Sequence, residues 1–70
     1  MSEAEKMAWK AAMACQRAAD ELLGGSWEAC KDSRETFKAH IGAYSALREA
    51  QKAATALGIA LGKEERKSND

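Results

Sequence analysis

Apolar positions recur along this chain in steps of three and four, and they do so in two separate stretches. Ala4, Ala8, Ala11, Cys15, Ala18 and Leu22 form the first series, and Ala39, Ala43, Ala46, Ala50, Ala53, Leu57 and Ala60 form the second. Such spacing places each series along one side of an α-helix. Small side chains in a seam let helix axes approach to about 8 Å. The expected architecture is all-α: a two-helix antiparallel hairpin closed by an alanine-rich seam.

Capping signals set the expected boundaries. Ser2 followed by Glu5 fits a capping box, so the first helix should begin near Glu3. Leu22 and Leu23 lead into Gly24 and Gly25, where a left-handed glycine would end that helix. Ser26 is then placed to cap a second helix from Trp27. That helix runs to Gly58 or Gly62 with Gly42 as its weak point, costing about 1 kcal/mol relative to alanine. A kink or break at Gly42 would give three helices instead of two. Residues 1–62 form the single expected domain, and residues 63–70, KEERKSND, a charged, frayed tail.

Both helices carry apolar residues away from the alanine series. In the first, Trp9 and Met13 sit one turn apart among Lys6, Lys10 and Arg17. Tryptophan is enriched at binding hot spots, so these five residues are the first candidate surface for a protein partner. In the second, Cys30, Ser33, Phe37, His40, Tyr44, Leu47 and Gln51 repeat at helical spacing, with Ile41 beside them. Phe37, His40, Ile41, Tyr44 and Leu47 are the second candidate surface. A helix that is apolar in two directions needs two neighbours. The hairpin supplies one, and a second copy of the chain is expected to supply the other.

Composition strengthens the helical reading and limits the core. Sixteen of the 70 residues are alanine and none is proline or valine, which favours helix over sheet. A chain this short buries only about 60% of its unfolded surface, and alanine yields little transfer free energy. Self-association is the device expected to compensate. Cys15 and Cys30 fall too far apart in a hairpin to bridge, which fits reduced thiols in a cytoplasmic protein. The start of the chain has no signal-peptide pattern, and the longest apolar run, residues 53–62, is about half a membrane span.

Charge and motif content exclude more than they indicate. Eleven basic residues balance eleven acidic ones, so the bulk excess of positive charge that marks many nucleic-acid binders is absent. His40 has no neighbouring catalytic signature. Cys15, Cys30 and His40 lack the close ligand pairs of a zinc site. The run Gly58-Ile59-Ala60-Leu61-Gly62-Lys63 is one residue short of a phosphate-binding loop, lacks the following Ser or Thr, and has no strand before it. The alternating charges from Glu28 to Lys38 read as a solvated helix side. No enzyme, cofactor or metal is expected. The profile is that of a small adaptor or inhibitor of a larger protein, of the phage- or mobile-element-encoded kind, although no residue pattern is specific to it. A nucleic-acid or transcription accessory factor is the first alternative, and a small-ligand binder the second.

Overall fold

The computed structural model describes residues 1–68. Helix α1 spans Glu3–Glu21. Its start follows the capping box: Ser2 is extended, and its Oγ accepts the Glu5 N–H at 3.1 Å. Glu3 and Glu5 in the first turn complement the positive end of the helix dipole.

The chain does not fold back at Gly24 and Gly25. It continues through a π-helical segment, Leu22–Ser26, into a short helix α2, Trp27–Cys30. No described residue has positive φ, so neither glycine supplies a left-handed cap. The Trp27 N–H instead reaches back to the Leu22 carbonyl. That wider turn takes up one extra residue. Inward positions on α1 fall at 5, 8, 12, 15 and 19, with Leu22 next, and the extra residue brings Trp27 into line with them. The reversal comes at residues 31–33. There Ser33 caps the next helix, its Oγ accepting the Thr36 N–H at 3.4 Å. The Thr36 hydroxyl donates to the Cys30 and Ser33 carbonyls, each at 3.2 Å.

Helix α3 then runs unbroken for 35 residues, Arg34–Ser68, and lies antiparallel along α1. Gly42 neither kinks nor ends it, and Gly58 and Gly62, expected as stops, lie inside it. The charged run from 63 to 68 is helical. Residues 69 and 70, the end of the expected tail, lie outside the described residues. The result is a flat rod with Cα extents of 57 × 15 × 11 Å.

The hairpin is closed by a different seam from the one that alanine spacing predicts. On α1 the buried residues are Ala8, Ala12 and Ala19, while Ala4 and Ala11 are exposed. On α3 the whole alanine series is exposed: Ala39, Ala43, Ala46, Ala50, Ala53, Leu57 and Ala60. The stripe that meets α1 contains Phe37, His40, Tyr44, Leu47, Gln51, Ala54, Gly58, Leu61 and Glu65. Energetics explain the choice. Fully burying a Phe or Leu side chain stabilises by about 1.5–3 kcal/mol, whereas an alanine methyl contributes about 0.8. Where two stripes compete for one neighbour, the larger side chains take it.

Candidate functional site

Two clusters fix the faces of the hairpin. At the closed end, Trp27 stacks at tilted angles on Phe37, 5.2 Å between ring centroids, and on His40, 5.8 Å. Both separations suit an aromatic pair. His40 is 5% exposed. At the open end, Trp9 lies over α3. A Cβ added at Gly58 would stand 2.8 Å from Trp9 Cε2, and one at Gly62 would stand 2.8 Å from a Glu5 carboxylate oxygen. The two glycines, one turn apart, form a notch that receives the indole and the carboxylate. Trp9 Nε1 donates to Glu5 Oε2 at 3.3 Å.

Glu65 completes this end. It accepts the Ser2 N–H at 2.9 Å and pairs with the N-terminal ammonium at 3.6 Å. The Ser2 N–H holds its carboxyl below the usual 4.5. Desolvation opposes this, and the ammonium charge and hydrogen bonds with Glu5 and the ammonium add to the lowering.

These clusters relocate several of the expected surface residues. Trp9 is half-buried and turned onto α3 instead of standing on the outer side of α1. Met13 is 62% exposed, and Lys6, Lys10 and Arg17 are exposed with it. The second candidate surface dissolves. Phe37, His40, Tyr44 and Leu47 belong to the hairpin's own interface, and only Ile41 faces out. Cys15 and Cys30 form no disulfide. About 22 Å of nearly continuous helix separates them at 1.5 Å per residue, so they are not poised to bridge.

With the inward stripes known, helix geometry sorts the rest of the surface into two broad sides. A residue one position before an inward one lies about 100° round the axis. In an antiparallel pair, the flanks on that side of both helices point the same way. On this first side α1 presents Ala4, Met7, Ala11, Ala14 and Ala18, and α3 presents the alanine series with Leu57. From Ala4 to Ala18 and from Ala39 to Ala60 no charged residue occupies this side; Glu21 and Glu64, which follow the same rule, stand beyond it at either end.

The opposite side holds the residues one position after each inward one. Here α1 presents Lys6, Met13, Gln16 and Asp20, and α3 presents Lys38, Ile41, Arg48, Lys52, Ile59 and Arg66. The four charges from α3 are all positive. Two hollows open to solvent lie on this side. One, of about 370 Å³, is lined by Arg48, Glu49, Gln51, Lys52 and Thr55. The other, of about 230 Å³, is lined by Met13, Gln16, Arg17 and Asp20. The Gln51–Gln16 hydrogen bond, 3.4 Å, runs between them.

The cation row was legible only in part from sequence. Lys38, Arg48, Lys52 and Arg66 share a phase that appears once the inward stripe is known. Among the described residues no three His, Cys, Asp or Glu side chains gather as a metal site would require. No described helix is long and apolar enough to cross a membrane. No family model, curated protein or solved structure matches this chain.

Proposed function

We propose that this protein is a non-enzymatic binding module, an adaptor or inhibitor that engages an acidic surface of another protein. The observation that carries this reading is the segregation of charge in a chain of zero net charge. Lys38, Arg48, Lys52 and Arg66 share one side of α3 with Ile41 and Ile59, and Lys6 and Met13 of α1 extend it. Aliphatic groups between cations suit a protein partner, which offers both carboxylates and apolar contacts. A phosphate backbone uses the cations alone. Of the first candidate surface, Lys6 and Met13 belong to this side, Arg17 borders it at the smaller hollow, and Trp9 turns onto α3 instead.

The test is capture from a nuclease-treated lysate of the cell that makes the protein. Wild type is compared with the triple variant Lys38→Glu, Arg48→Glu, Lys52→Glu. The reading expects a protein that binds wild type, weakens as salt rises, and is lost by the variant. Capture of nucleic acid from an untreated lysate, with no protein retained after digestion, would replace it with the nucleic-acid reading.

A further inference from the structure

We infer that the uncharged side of the hairpin is covered by a second copy of this chain, giving a four-helix bundle whose basic sides face outward. Three observations point to this occupant. The first is the poverty of the core: among the described residues the buried hydrophobic ones are three alanines, and no large side chain is fully buried. A domain of this size needs more burial than that to be stable.

The second is the surface left over. Met7 is 66% exposed and Leu57 53%, with Ala11, Ala14, Ala46 and Ala50 around them. They lie on two helices of one rigid pair rather than along a single stripe. The third is area. The alanine series from 39 to 60 is about 33 Å long at 1.5 Å per residue, and two helices side by side are about 20 Å across. The product is about 650 Å² per copy, or about 1,300 Å² in total, within the range of stable specific interfaces. Alanine suits a helical partner in particular, because it permits backbone approach that larger side chains block. A copy of the same flat, uncharged side is self-complementary, as a two-fold interface requires.

Light scattering on the purified full chain, from about 10 to 200 μM, tests the inference. Wild type is expected at twice the 7.6 kDa chain mass. Ala46→Glu places a charge in the middle of this side and is expected to weaken association by about 100-fold or more, leaving a helical monomer. Lys52→Glu, on the opposite side, is expected to remain a dimer. Should Ala46→Glu lose helicity, a spin label on Ala50→Cys, with Cys15 and Cys30 replaced, reads the same interface. It should show stronger coupling between copies than a label on Lys52→Cys. A wild-type monomer throughout the range would overturn the inference. So would a dimer that Ala46→Glu leaves intact, or labels more strongly coupled at position 52. Partner capture is read separately, on variants of the other side, so failure here leaves the proposed function standing.

Discussion

Helix α3 carries two apolar stripes one residue out of phase, and their fates differ. The inward stripe, through Phe37, His40, Tyr44, Leu47, Gly58 and Glu65, meets α1. The outward stripe, Ala39 to Ala60, is exposed along its whole length. Both have helical spacing, so periodicity alone does not choose between them. What differs is shape. The inward stripe has large rings at one end and a glycine notch at the other, and the facing arm has complementary parts for each: Trp27 of α2 for the rings and Trp9 of α1 for the notch. The outward stripe has methyl groups throughout. It suits a flat neighbour and offers a bulky side chain no recess. Small residues mark where a helix can be approached closely, but large residues and their sockets decide which approach is made first.

Substitutions at the open end bear hardest on that contrast. Trp9→Ala removes the ring that fills the notch and should cost about 2–3 kcal/mol, below the about 3–5 of fully buried aromatic truncations because the ring is half-exposed. For a domain of this size each 1 kcal/mol corresponds to about 4–8 °C in melting temperature. A melting curve unchanged by Trp9→Ala would mean that the ring is not part of the hairpin. Gly58→Ala should come next. Its new methyl meets the rigid indole, and overpacking of about 1–3 kcal/mol outweighs a helix-propensity gain of about 1. Gly62→Ala meets only the end of the flexible Glu5 side chain, so it should be near neutral. Equal losses at the two glycines, by chemical denaturation, would dissolve the distinction between ring and carboxylate.

Gly42 makes the opposite case. A Cβ there meets nothing within 4 Å, so Gly42→Ala should stabilise by up to about 1 kcal/mol through helix propensity. A loss would place a neighbour against it. The smallest effect should be at Glu65. Because its folded carboxyl titrates below the usual 4.5, the stability it contributes is present above that value and fades as pH falls through the lower folded one. Glu65→Gln should therefore melt slightly below wild type at pH 7 and converge with it in acid. The gap should narrow with added salt, since the group is partly exposed.

The helical class, the long second helix and the Ser2–Glu5 start were legible because each rests on local chemistry that tertiary contacts do not override. The turn was not. Gly24 and Gly25 look like a stop, yet glycine tolerates a helical turn when the segments on either side gain by continuing, and here continuation brings Trp27 to Phe37 and His40. The true reversal carried a signal that the charge alternation obscured: Ser33 with Thr36 three residues on, a hydroxyl cap followed by a hydroxyl that ties back to the turn. Gly58 and Gly62 read as helix ends because glycine is a poor helix former. Their four-residue spacing, one helical turn, was the better guide, since it puts both on one line facing Trp9 and Glu5. The two candidate surfaces suffered from the same ambiguity of phase. Once α3 turns its aromatic stripe inward, all of the second surface but Ile41 joins the contact with the first arm, and a cation row that no local motif announces becomes a surface.

Helix α3 faces α1 with its ring-and-glycine stripe rather than its alanines. Nuclear Overhauser contacts of the Trp9 indole test it most directly, on a sample held monomeric by dilution or by Ala46→Glu. Contacts are expected from the indole protons to the Gly58 α-protons, with those α-protons shifted upfield by the ring. Contacts from the indole to the methyl groups of Ala53 or Ala60 instead, with Gly58 unshifted, would contradict it.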